Sequence, residues 1–321
     1  MIKYISRHDK DYSRYNIIKS LLKDVQCKND VYLLLPFSKN QFFKNIFKRD
    51  RLINDFFISN YDTYVYDRQK ISKRNPRAWW KYFQDWVNFR YSKYLMSDTQ
   101  AHFDYWESLF GKFRGEHFVL PVLADKEIYF PNEKPLEHKT VEVLFYGSFI
   151  PLHGIDVILK AFKILEDKQI NFKAKIIGNG QMYTQMKDLY TSLGLKQVQM
   201  DGKLLEEIKL ANEIRKTDIV LGVFGKSKKA ASVVPNKVYQ ALACQKALIT
   251  MQSDAIDEFF HREDLIQCDN TPEELANMLE LLIVRKEARD RLAEHGHQHF
   301  LRLYDKTQEN IKQFVYTIGK N

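Results

Sequence analysis

Two doubly wound α/β domains facing a cleft are what this chain of 321 residues predicts, on three observations. Short apolar runs alternate with helix-like stretches in two successive series, the pattern of βαβ units and parallel sheets. A polar segment with two prolines, Pro131–Thr140, separates the series. The length suffices for two ordinary Rossmann-like domains. The expected division is 1–135, 136–303 and a C-terminal helix, 304–321, packing back on the first domain.

In the first series, residues 2–6, 31–36, 56–59, 93–96 and 117–122 read as short buried strands. Helical stretches lie between them. "YSRYNIIKSLLKD" is one, and "NPRAWWKYFQDWVNFRYSKYL" is another, with Asn75 placed as N-cap and Pro76 at the first helical position. Asp67-Arg68 closes a further strand-like segment, and Ser97 or Thr99 has the look of a helix cap. The second series runs "VEVLFYG", "FKAKIIG", "VQMDG", "DIVLGVFG" and "KALIT", each but the last followed by a helical stretch.

Composition narrows the class. Hydrophobic residues make up 45%, and Gly plus Pro number 20 (12 plus 8), which excludes disordered and fibrous chains. Cys27, Cys244 and Cys268 form no CxxC pair and read as reduced thiols. No signal-peptide core opens the chain, and the longest apolar run, "VYLLLPF", is far short of the roughly 20 residues that span a bilayer. The expected location is the cytoplasm, with peripheral attachment at the inner face of the membrane as an added expectation. Residues 1–139 carry 25 Lys/Arg against 17 Asp/Glu, while 140–321 carry 25 against 24. The basic half suits an anionic partner. "QFFKNIFKRDR" (41–51), laid on an amphipathic helix, would suit an anionic leaflet or equally a core-facing aromatic stripe. No nucleic-acid reader module is present, so nucleic acid is not expected.

Three strand ends of the second series finish in glycine: Gly147, then Gly178 with Gly180, then Gly225. Glycine there lets backbone turn sharply and approach a ligand. A Pro-Asn-Lys turn follows in "VVPNKVYQALACQKALIT" and opens a helix, whose N-terminus is a natural anion site. Lys237 at that start opposes the helix dipole, so its presence needs another reason. Together these point to a nucleotide-sized ligand. Neither a dinucleotide fingerprint nor a Walker A loop is present. "HGHQH" (295–299) spaces two histidines at i, i+4, but Gly296 is expected to interrupt the helix and no carboxylates complete a site. No metal and no cofactor are expected.

"VLFYGSFIPLHGIDVILKAFKIL", "KIIGNGQ", "TDIVLGVFG" and "VVPNKVYQALACQKALIT" resemble the donor-binding domain of group 1 (family 4) retaining glycosyltransferases of GT-B fold. "FISNYDTYVYDR", "LMSDTQAHFDYWESLFG" and "HFVLPVLADKEIYFP" resemble a subgroup of the same family in its acceptor half. The resemblance implies a nucleotide-sugar donor, a glycan or lipid-linked acceptor, and retention through a front-face mechanism, in bacterial surface polysaccharide or glycoconjugate synthesis. It places the diphosphate at Gly147, Ser148 and His153, where the family's usual Arg and Lys are absent. The family's two glutamates fall at Ser232 and Gln240. Asn236 and Lys237 then face the diphosphate or sugar, beside Val234, Gly178, Gly180, Gly225 and Lys226. Arg7, His8, Arg14, Arg68 and His102 are the candidates on the acceptor side, His102 with packing as its other reading. With both carboxylates replaced, a catalytically inactive GT-B scaffold or accessory subunit is the alternative.

Overall fold

The structure is a computed structural model describing residues 1–6, 12–134, 138–226 and 228–320, without the side chains of Lys228 and Lys229. The chain forms two compact units. The first comprises Met1–Leu123, Ser232–Val234 and the stretch from Tyr304 onward; the second comprises Ala124–Ala231 and Pro235–Leu303.

The first unit holds a parallel sheet of β1 (Ile2–Ile5), β2 (Val31–Leu34), β3 (Leu52–Asp55), β4 (Tyr94–Ser97) and β5 (Glu116–Val119), in chain order from edge to edge. β3 corrects the expected strand at 56–59. Asn54 and Asp55 look too polar for a central strand, yet both are buried because distant side chains satisfy them. Asn54 Nδ2 donates to Ser92 Oγ (3.0 Å), and Asp55 receives two bonds from Arg14. The segment ending at Asp67-Arg68 is likewise helical over Asn60–Asp62 and Thr63–Asp67, not strand-like. Ser59 Oγ accepts from Asp62 N at 3.0 Å and starts the turn, overriding the alternation of Tyr64 and Tyr66. Asn75 and Thr99 cap their helices as expected, accepting from Arg77 N (2.9 Å) and His102 N (2.9 Å). The Pro76–Tyr91 helix turns Ala78, Val87 and Phe89 inward; Phe89 joins Phe56, Phe103, Trp106 and Phe110 in an aromatic core.

The second unit contains β6 (Glu142–Tyr146), β7 (Lys173–Ile177), β8 (Val198–Asp201), β9 (Ile219–Leu221), β10 (Ala247–Met251) and β11 (Ile266–Cys268), every pairing parallel. The order β11-β10-β9-β6-β7-β8 reverses direction between β6 and β9. That reversal leaves a crevice beyond the carboxyl ends of those two strands, the usual ligand position in such sheets. β11, only three residues with Gln267 at its centre, has no sequence signature; pairing with β10 makes it a strand. Helices such as Ile155–Asp167 cover the sheet, with Ile158, Phe162 and Leu165 fully buried among Phe145, Phe149 and Leu221.

Gly296 does not interrupt a helix. Lys286–Lys320 is one helix that passes from the second unit into the first, so residues 304–320 continue it without a break. Gly296 is there because a Cβ would stand 2.4 Å from the Asp264 carbonyl oxygen.

Candidate functional site

β6 ends at Tyr146 and the chain turns at Gly147 with φ of +144°. A Cβ at Gly147 would lie 2.8 Å from His153 Cε1 and 3.2 Å from Lys237 Nζ. The imidazole and the ammonium therefore converge over a bare Cα. Gly178, with φ of +145°, makes this turn possible: a Cβ there would sit 1.9 Å from the Gly147 carbonyl oxygen. Gly180 and Gly225 pack against the backbones of Phe149 and Leu152, holding the same loop from either side.

Lys237 is the second residue of the Asn236–Ala243 helix and only 4% exposed. Its Nζ finds no hydrogen-bond partner among the described residues and lies 4.3 Å from the Phe145 ring centre. Burial lowers its pKa to about 7. A buried ammonium that no acceptor meets, with aromatic faces and an imidazole around it, is costly unless an anion completes it. His153 donates from Nδ1 to the Ser148 carbonyl, which fixes the tautomer and leaves Nε2 with its lone pair. Burial first, and the Lys237 charge second, hold its pKa well below the ordinary value, so the ring is neutral at pH 7. Ser148 itself is exposed.

Gln240, one turn further along that helix, is engaged at both ends of its amide. Tyr146 OH donates to Oε1 (2.8 Å), and Nε2 donates to Tyr129 OH (2.8 Å). Tyr129 hydrogen-bonds Glu207 in turn. The position expected to face a ribose thus belongs to an internal polar chain whose other members, Tyr129, Tyr146 and Glu207, the sequence reading passed over. The only signal was Tyr146 standing directly before Gly147. Asn236 is half-buried, Val234 buried and Lys226 exposed. Ser232 lies in the first unit, where its carbonyl accepts from Thr99 Oγ1 at 2.7 Å.

Of the residues expected on the acceptor side, Arg7 and His8 lie outside the described residues. Arg14 is interior: it is 1% exposed, bidentate to Asp55 (2.8 and 2.8 Å), and donates to the Leu120 carbonyl. That corrects its placement at a site edge, because every face of the guanidinium is spent inside the domain. His102 is also buried, with Nδ1 2.7 Å from Asp98 Oδ1 and its ring 4.0 Å from Trp106. Arg68 is exposed. His299 lies 2.8 Å from Asp264, and no group of three metal-ligating side chains exists among the described residues. A cavity of about 740 Å³ opens at the opposite, amino end of the strands, lined by Asp218 and Lys246, and takes no part in this arrangement.

A family model described as glycosyl transferases group 1 matches residues 127–299, more than half of the chain. The chain belongs to the group 1 glycosyltransferases. An uncharacterized glycosyltransferase of Methanocaldococcus jannaschii is 27% identical over 156 residues, 48% of this chain and 41% of that protein. The match therefore spans less than half the length of that curated relative. Among solved structures, sucrose-phosphate synthase from Thermosynechococcus elongatus superposes with a TM-score of 0.71 at 12% identity, over 90% of this chain and 73% of that one. Anabaena HepE in complex with UDP-glucose gives 0.68 at 11%, over 98% and 97%. WaaG, a glycosyltransferase involved in lipopolysaccharide biosynthesis, gives 0.68 at 13%, over 98% and 99%. These likenesses fix the fold of this glycosyltransferase as GT-B. Among the described residues no helix is long and apolar enough to cross a membrane.

Proposed function

We propose that this glycosyltransferase transfers a sugar from a nucleotide-sugar donor, with retention, to a glycan or lipid-linked acceptor in bacterial surface polysaccharide or glycoconjugate synthesis. The observation that carries the donor site is the unpartnered, buried ammonium of Lys237 over Gly147, at the carboxyl end of β6 where the strand order reverses. A diphosphate is the ligand chemistry that completes it. Its oxygens would meet the ammonium, the free N–H groups of the helix start and the backbone around Gly147. As the bond to the departing diphosphate breaks, negative charge grows on the group that Lys237 faces. In comparable preorganised sites the loss of one such contact costs about 3–4 kcal/mol. The family's front-face route then passes the acceptor's proton to the leaving phosphate, so the protein's task is positioning and charge stabilisation. Because a protein of the same fold is known with UDP-glucose bound, uridine diphosphate is the first ligand to test.

Thermal stabilisation by a panel of nucleoside diphosphates tests the site: one of them should raise the midpoint in the wild type and not in Lys237→Ala. The anomeric configuration of the product, read by NMR, tests retention. A second reading, an inactive scaffold, is favoured by Ser232 and Gln240 standing where carboxylates are usual and by the enclosure of the Gln240 amide. Nucleotide binding without donor turnover would select it.

A further inference from the structure

The first unit displays aromatic side chains that its core does not use. On the Pro76–Tyr91 helix, Trp79 is 69% exposed, Trp80 59% and Phe83 46%. On the neighbouring segment, Phe43 is 41% exposed and Phe47, in the Ile46–Arg51 turn, 96%. The two segments form one face. Gln84 Nε2 donates to Asn40 Oδ1 at 3.0 Å, and Trp86 packs with Ile46 on one small core around Phe42 and Val87. Trp80 stacks on Phe83 at 5.9 Å and Phe83 on Trp86 at 6.2 Å, so the rings run as a ladder along the helix.

The charge on this face is predominantly positive. Between Arg68 and Tyr91 there are seven Lys/Arg and a single acid, Asp85. Asp85 is wholly buried and neutralised by Lys39 at 2.5 Å, so it offsets nothing at the surface. Lys44, Lys48, Arg49 and Arg51 flank Phe47, opposed by Asp50, which pairs with Lys93 at 3.2 Å.

We propose that this face is a docking surface for an anionic lipid bilayer. Trp79, Trp80, Phe83 and Phe47 enter the headgroup layer while Arg74, Arg77, Lys44 and Arg49 meet lipid phosphates. Tryptophan is suited to that layer because its ring is apolar and its N–H is wet, and basic side chains gain from an anionic leaflet. Phe47 has no polar tip and projects almost entirely from the surface, which suits an apolar medium better than a nucleic-acid strand. The proposal rests on the reading of a membrane-associated acceptor and gives it a place on the molecule.

The test is partition onto vesicles of phosphatidylglycerol and phosphatidylcholine, against phosphatidylcholine alone, at about 0.1 M salt. The wild type should bind the anionic vesicles, and brominated lipid should quench its tryptophan emission. The triple variant W79Q/W80Q/F83Q should lose about tenfold or more in partition, with its thermal midpoint and nucleotide response intact. Phe47→Gln, a single exposed position with no folding role, should lose about threefold and guards against misfolding of the triple variant. Absence of wild-type binding, or binding that the triple variant retains, overturns the proposal. So does a wild-type dimer that the triple variant abolishes, or preferential binding of single-stranded RNA. A nucleotide-induced midpoint shift without vesicle binding removes the docking surface and leaves the transferase reading in place; vesicle binding without that shift does the reverse.

Discussion

Replacing Lys237 by Met removes the ammonium and keeps most of its buried stem, so the change isolates one charge. In the free protein burial sets its pKa at about 7, against an ordinary 10.5. At pH 8 only about a tenth of the molecules carry the charge, since one pH unit is a factor of ten. A bound diphosphate would restore the charged form, so binding at pH 8 should take up about 0.9 proton per site. The diphosphate is itself fully ionised there and contributes none. Titration calorimetry in buffers of different ionisation enthalpy reads this number directly. Lys237→Met should bind more weakly and take up no proton, and wild-type affinity should fall nearly tenfold per pH unit above 8. Equal proton uptake in wild type and variant would refute the reasoning. Unliganded stability carries the same sign. The folded pKa lies below the unfolded one, so stability rises as pH increases from 7 to 10.5, by about 5 kcal/mol at most. Lys237→Met should flatten that rise in a chemical-denaturation series.

Gly147→Ala should abolish nucleotide-induced stabilisation and cost about 1–3 kcal/mol, because φ is +144° and the new methyl meets His153 at 2.8 Å; denaturant unfolding measures the second part. Tyr129→Phe removes the hydroxyl that receives the Gln240 amide, and should cost about 1–3 kcal/mol in the same measurement. Arg14→Met leaves the Asp55 carboxyl in the interior without its partner and should cost about 3–5 kcal/mol while leaving the acceptor KM of the folded enzyme unchanged. A KM effect with intact stability would return Arg14 to the acceptor site.

The sequence by itself determined the two α/β series, the family, the glycine at the end of β6 and the lysine at a helix start. Those features are local, since they depend on apolar spacing and on backbone that only glycine adopts. Tertiary structure decided which polar groups remain available. Arg14 and Asp55 stand 41 positions apart, and Gln240 and Tyr146 stand 94 apart. No local period reports such pairs, so the third strand is expected at 56–59 instead of Leu52–Asp55, and Gln240 is expected at a ribose. Gly296 shows the same limit, because its reason is a carbonyl at Asp264 that only the folded chain brings near. Lys237 is the reverse case: the fold leaves its ammonium without a hydrogen-bond partner, and that isolation rather than any motif is the ground for proposing an anion there.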